Sequence, residues 1–453
     1  MKRILILGGL IYLLLLVGLA SLDRRLLVLA IPLVVYLGAA LPFGPGELRL
    51  QAVRSINPDR TIEGSPVSVR LSITNEGTAL EQLLVQDTVS PRLTVEDGKP
   101  AAAIALGPGE TFEMEYTLKS GRGAYDWEHI QVTAGDLLGL SQRTTLVAAP
   151  GHLTVLPRVV PLRRLAIRPL RTRGHAGPVP ARQGGPGTDF YGVREYQPGD
   201  PQRWINWRAS ARHWRASARH DAALFTNEFE QERIADVGLI LDARARNEVR
   251  AGYGVRAAYG VRAGYGVSAG SESLFEHAVQ ATASLADRFL RDGNRVALLV
   301  FGQYVDWTFP GYGKVQREQI LRALAKAEPG ESQIFDSLEF LPTRLFPAGS
   351  QLVMVSPVSR DDLPVLLRVR GRGYQLLVIR PDPIAFEMQG LASEPSLELA
   401  ARILRAERGL VRRRLQQAGV QVVEWPVDRL LDQMIHASLG RVPPWFRSVG
   451  VER

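Results

Sequence analysis

Two uncharged apolar runs open the chain and constrain it more than any other feature. Ile4 to Leu22 is 19 residues without a charge and Leu26 to Phe43 another 18, and only Asp23-Arg24-Arg25 separates them. At about 1.5 Å of rise per residue each run nearly matches a hydrocarbon core of about 30 Å. The short break predicts a transmembrane helical hairpin (spans 4–22 and 26–43 within residues 1–46), stopped by Gly44-Pro45-Gly46. A cleaved signal peptide is the competing reading, but Leu19-Ala20-Ser21-Leu22 is a poor cleavage site. Lys2, Arg3, Arg49, Arg54 and Arg60 flank one side of the pair, Arg24 and Arg25 the other. That bias predicts a multi-pass protein of the inner cell membrane, set in the lipid bilayer with both termini and the large remainder cytoplasmic.

With 453 residues, 45% of them apolar, the chain is long enough for two to four domains and excludes wholesale disorder. It has no cysteine, which removes disulfides, thiolate zinc sites, iron–sulfur clusters and cysteine nucleophiles together. The formal charge of +9 is concentrated. Between Arg158 and His220 there are 13 arginines against Asp189, Glu195 and Asp200. Such a segment reads either as a solvated linker or as a docking surface for something acidic. Nucleic-acid binding through 158–220 is a further alternative that is not expected, because aromatics cluster only at Phe190–Trp214 instead of interleaving with the cations.

Residues 48–157 alternate apolar and polar with turn signals between runs. Val67, Val69, Leu71 and Ile73 form one such run, followed by Asn75-Glu76-Gly77; Phe112, Met114, Tyr116 and Leu118 form another after Gly107-Pro108-Gly109. Short alternating runs without helical period predict a β-sandwich of immunoglobulin or fibronectin type. An Arg/Pro/Gly-rich linker spans 158–187, and a dense box rich in aromatics and charges occupies 188–233. From 234 to 445 apolar strands alternate with amphipathic helices, the pattern of a doubly wound α/β domain whose ligands meet the carboxyl ends of its strands. Val237–Asp242 is a buried strand ending in an acid. Ser273-x-x-Glu276 starts a helix as a capping box, and Asp292-Gly293 ends it. Three copies of a hexapeptide, Arg250–Val267, predict a flexible insert after that first strand, and Trp207–His213 is repeated verbatim as Trp214–His220.

The box, GxREYxPGDxxRxINWRASAR, resembles the signature of the DUF58 family. The matching positions are Gly192, Arg194, Tyr196, Gly199, Asp200, Arg203, Asn206, Trp207, Ser210 and Arg212, with Glu232 further on. The resemblance implies a membrane-anchored protein with a von Willebrand factor A-like domain, and a MoxR-type AAA+ ATPase as partner. In A-type domains the carboxyl edge often carries an Asp-x-Ser-x-Ser metal site. Here the run is Asp242-Ala243-Arg244-Ala245-Arg246, with arginine at both hydroxyl positions. Arginine cannot ligate a cation, so a degenerate site without metal, with Asp242 paired to an arginine, is the expectation.

Other chemistry is not indicated. Gly311-Tyr-Gly-Lys314 has neither the spacing nor the hydroxyl of a phosphate loop, no HExxH or GxSxG occurs, and Asp361-Asp362 before Leu363-Pro364 reads as a helix cap. The chain is therefore expected to be no enzyme and to need no cofactor. It would be a scaffold or adaptor presenting a cytoplasmic docking surface to the ATPase and an unknown protein client. The alternative from another class is a metal-dependent or hydrolytic enzyme using Asp242, Asp200 and Glu232.

Overall fold

The computed structural model describes residues 2–22, 24–40, 48–135, 142–163, 165, 172–173, 179–216, 223–249, 273–332, 337–388 and 395–439. The chain forms two compact units that divide between Leu156 and Pro157.

The first unit begins with α1 (Lys2–Ser21) and α2 (Arg24–Ala40). Among the described residues no helix is long and apolar enough to cross a membrane. The expected transmembrane hairpin is therefore corrected to a pair of short helices. Local geometry gives the reason. Leu22 leaves the helix at φ 52°, and α1 spends part of its 20 residues on Lys2 and Arg3. Its uncharged part is about 27 Å long, and that of α2, which starts on Arg24-Arg25 and contains Pro32, about 22 Å. Both are shorter than the ~30 Å hydrocarbon core, α2 by the wider margin.

The rest of this unit is two packed sheets. Strands β1 (Leu50–Asn57), β2 (Arg60–Ile62), β3 (Pro66–Asn75), β4 (Leu80–Gln86) and β5 (Leu93–Asp97) come first. They are followed by β6 (Ala101–Leu106), β7 (Thr111–Ser120), β8 (Gly123–Gly135) and β9 (Gln142–Leu156). One sheet has the order β1-β3-β7-β5, the other β2-β9-β8-β4-β6. The period of two in β3 buries Val67, Val69, Leu71 and Ile73 in a single apolar core, which also takes Leu83 and Val85 of β4 and Ile130 and Val132 of β8. Within that core Arg54 and Asp87 form an ion pair at 2.6 Å with both side chains fully buried. The Tyr116 hydroxyl donates to Asp87 at 2.7 Å, and Arg54 also lies over the Trp127 ring.

In the second unit β10 (Thr172–Arg173) and β11 (Val179–Glu195) pair antiparallel with β12 (Phe225–Ala243). β11 thus runs from the stretch read as a linker into the box, and β12 begins in the box and ends in the main sheet. The β11–β12 register shifts three times, between Pro180 and Gly184, Gly185 and Phe190, and Phe190 and Gly192. Those bulges are why the segment shows no strand period in sequence. Between the two strands lies α3 (Trp207–Ala216).

After Val237 the same strand β12 becomes the centre of a mostly parallel sheet. It pairs with β13 (Arg295–Gly302) on one side and β15 (Gln351–Val355) on the other. The full order is β14-β13-β12-β15-β16-β17, with β14 (Val305–Gly311) an antiparallel edge and β16 (Gln375–Pro381) and β17 (Gln421–Trp425) parallel. Every residue of β15 is buried, as cover on both faces requires. Helices α4 (Leu274–Arg291), α5 (Gly313–Lys326), α6 (Leu363–Gly371), α7 (Pro383–Glu387), α8 (Pro395–Gln417) and α9 (Leu431–Leu439) complete the unit. Ser273 caps α4 by accepting from the Glu276 amide. Val365, Leu366 and Val369 of α6 and Val411 and Leu415 of α8 join Ile240, Leu299, Met354 and Val378 in one apolar cluster. The hexapeptide copies at 250–267 lie outside the described residues, as does most of the second Trp-to-His copy.

Candidate functional site

At the carboxyl end of β12 the chain leaves the sheet with Asp242 and Arg244, both 1% exposed. Two residues of extended backbone put both side chains on the same side of the strand, and Arg244 turns back onto the acid. Its Nε donates to Asp242 Oδ1 at 2.8 Å and its Nη2 to Oδ2 at 2.5 Å. The other edge of the guanidinium meets Asp362, the residue before α6, with Nη1 donating to Oδ1 at 2.9 Å. Arg246 adds a donation to the same oxygen at 2.6 Å. Hydroxyls complete the cluster: Ser356 Oγ, just past β15, donates to Asp242 Oδ2 at 2.6 Å, and Ser359 donates to Asp362 Oδ2 from its backbone amide at 2.9 Å and its hydroxyl at 3.0 Å.

Two carboxylates and two guanidiniums balance, so the cluster is neutral as built. Burial works against the charge on Arg244, but the hydrogen bonds and fields of Asp242 and Asp362 outweigh it and hold its pKa above the ordinary arginine value. Burial also pushes Asp362 up, yet the bonds from Arg244, the Ser359 amide and the field of Arg246 bring its carboxyl below the ordinary range. The oxygens that could hold a hard divalent cation, two carboxylates and two serine hydroxyls, all sit around the guanidinium. Among the described residues no group of three or more acid or histidine side chains could hold a metal ion.

The loop between β15 and α6 is fixed by a second buried arginine. Arg380, at the end of β16, donates to the carbonyls of Pro357 and Val358 and pairs with Glu424 at 2.5 Å. Burial and the nearby Arg408 push its pKa down to about 10, with Glu424 partly offsetting them. The loop it holds contains Val358 at φ 45°, a left-handed conformation that a β-branched residue rarely adopts. The Ser356 hydroxyl accepts from the Val358 amide at 3.1 Å, so this strained residue is held from both sides.

The signature box makes a second constellation. Arg194 forks onto Asp200 at 2.8 and 2.7 Å and also approaches Glu228 at 3.7 Å. The hydrogen bonds from Arg194, with that from the Gln197 amide, hold the Asp200 carboxyl below the usual range. Gly199 takes φ 111°, which closes this turn, and the Tyr196 hydroxyl donates to the Asp200 carbonyl. Gly192 pairs with Glu228 across the β11–β12 ladder. Asn206 caps α3 by accepting from the Ala209 amide and donates to Asn227 at 2.7 Å. Ser210 is buried and accepts from the Phe225 amide. Arg203, Trp207 and Arg212 point outward, Trp207 with 65% of its surface exposed. Glu232 pairs with Pro180 in backbone register, and its side chain lies outside the described residues.

Residues 192–388 match the model of a family described as protein of unknown function DUF58. Over that segment the chain is a DUF58 family protein. The matched segment begins at the first glycine of the box and includes the whole Asp242–Arg244–Asp362 cluster. The uncharacterized protein YeaD of Bacillus subtilis (strain 168) is 26% identical over 191 residues, 42% of this chain and 39% of that relative. The DUF58 chain therefore aligns with about two-fifths of that relative's length. Among solved structures it is similar to the CARDB domain of a Pyrococcus furiosus protein (17% identity, 25% of this chain and 99% of that one, TM-score 0.17). It is also similar to the cupredoxin domain of amoB from Nitrosocaldus yellowstonii (9% identity, 25% and 89%, TM-score 0.18).

Sequence reasoning missed Asp362, Ser356, Ser359 and Arg380. Asp362 does stand at the start of α6, but it makes no side-chain cap bond and gives its carboxylate to the arginines instead. The available signal was the pair of hydroxyls directly after the apolar run Gln351–Val355, at the carboxyl edge where the sheet presents its site. Asp242 and Asp200, joined in the alternative reading as catalytic acids, are each neutralised by a different arginine.

Proposed function

We propose that this DUF58 protein is a non-enzymatic adaptor whose second unit docks a MoxR-type AAA+ ATPase and presents a protein client to it. The observation that supports the reading best is Arg244. In a von Willebrand factor A-like domain the carboxyl edge recruits a divalent cation, and the bound ligand completes its coordination. In this chain a tethered guanidinium stands among the equivalent oxygens, so the edge is charge-balanced and ordered without any added ion. An edge of that kind suits constitutive docking. It gives little support to hydrolysis, because both carboxylates are already bonded to arginine and neither is free to act as a base.

The box supplies the contact surface in this reading. Arg194, Asp200 and Asn206 use their polar groups on one another and on the chain, which fixes the turn and helix from which the exposed Arg203, Trp207 and Arg212 project. Exposed tryptophan and arginine are the residue types that dominate binding energy at protein interfaces. The test is binding of the full chain to a purified MoxR-type ATPase, with and without nucleotide. Saturable binding that weakens at least tenfold in Arg203→Ala and Trp207→Ala supports the reading. No binding by a folded, monodisperse chain, or equal binding by both variants, refutes it.

A further inference from the structure

Helix α8 lies beyond the family-matched segment, and its sequence carries two apolar faces. Ala401, Val411 and Leu415 are buried, the last two in the apolar cluster with the sheet. Leu399, Ile403 and Leu410 are 56%, 54% and 60% exposed, and at about 100° per residue they fall in one narrow stripe roughly 140° around the helix from the buried face. With exposed Ala406 the stripe reads Leu399, Ile403, Ala406, Leu410, spaced four, three and four. That is the narrow seam by which one helix packs on another, and it is narrower than the broad face of a helix lying in lipid.

We propose that this seam is a self-association surface on which α8 packs antiparallel against α8 of a second copy of the chain. The pattern is self-complementary about a twofold axis passing between Leu404 and Arg405. Residues equidistant from the axis meet, so Leu399 packs on Leu410 of the second copy and Ile403 on its Ala406, which sets the one small residue of the seam against a large one. The flanking charges Arg402 and Glu407 then lie beside Gly409 and Ala400 of the second copy, small residues that leave both charges in water. A parallel arrangement would set Ala406 against Ala406 and bring Arg413 against Arg413 at the seam. Its one gain, Arg402 beside Glu407, is a solvent-exposed pair of little worth. The seam is short, well under the ~800 Å² per partner of a standard interface, so the association is weak and concentration-dependent.

The chain has no cysteine, which makes introduced thiols clean probes. The full chain carrying both Leu399→Cys and Leu410→Cys, in mild detergent to mask the exposed apolar side chains of α1 and α2, is expected to form a covalent dimer on gentle oxidation. The two positions are about 16 Å apart along one helix, so the bond cannot form within a chain. Leu399→Cys alone is expected to stay monomeric. Sedimentation velocity of the unmodified chain should show a monomer–dimer shift across two decades of micromolar concentration, abolished by Ile403→Asp. That position is exposed, so thermal unfolding of the variant should match the parent. A monomer at every concentration, efficient cross-linking by Leu399→Cys alone, or a dimer that survives Ile403→Asp would each overturn the proposal.

Discussion

Arg244→Ala removes the central cation of the carboxyl-edge cluster and leaves its partners unequal. Asp362 keeps Arg246 at 2.6 Å and both donors of Ser359. Asp242 keeps only the Ser356 hydroxyl and a 3.3 Å contact from the residue 244 backbone amide, in a place where it is 1% exposed. Breaking a buried pair from one side costs about 3–5 kcal/mol, mostly as the uncompensated charge left behind. With a urea m-value of about 3 kcal/mol/M, the midpoint should fall by about 1–1.7 M. Six of the seven tryptophans lie beyond Pro157, so tryptophan fluorescence follows the unit concerned. The pH dependence should change direction as well. In the parent, Asp362 sits below its unfolded pKa, so its contribution is present above about pH 4 and is lost on acidification through the lower folded value. In the variant the charged carboxylate of Asp242 is buried without a counter-ion, so the deficit relative to the parent is larger at neutral pH than in acid. Should the variant be too unstable to measure, Asp242→Asn with Arg244→Met restores neutrality at similar volume and is expected to recover most of the loss. A single variant within 1 kcal/mol of the parent at pH 7.5, with the same pH slope, would refute the reasoning.

Three further outcomes are expected. Arg194→Ala should release the turn at Gly199, seen as faster hydrogen exchange at the Gln197 and Asp200 amides with the main sheet unaffected. Tyr116→Phe removes a donor from buried Asp87 and should cost about 1–2 kcal/mol, read from exchange of the β3 and β7 amides. Gly238→Ala would place a methyl 2.4 Å from the Phe346 ring in the middle of β12, and overpacking of about 1–3 kcal/mol should appear in the urea midpoint.

Elements whose packing follows from local period were legible in the sequence. The alternation at Val67–Ile73 is that of a strand buried on one face, and the Ser273 cap with the Asp292-Gly293 stop bounds α4. The box was legible as something specific, and an Asp242–arginine pairing was written in the Asp-x-Arg spacing. Three things were not. The β11–β12 ladder is irregular, so it left no period to read. Asp362 is 118 residues from Arg244, and its local sequence imitates a helix cap, which hides a long-range ion pair. The two apolar runs at the N-terminus were counted by composition, whereas helix length depends on where the backbone turns, at Leu22, and on how much of each helix its leading cations occupy.

The most direct test of the account is calorimetric titration of Mg²⁺ into the parent chain and into Arg244→Ser, which vacates the cradle and restores a hydroxyl. The account predicts no binding to the parent, because the guanidinium already holds the oxygens, and measurable binding to the variant through Asp242, Ser356 and Asp362. Saturable Mg²⁺ binding by the parent that Asp242→Ala abolishes would contradict it.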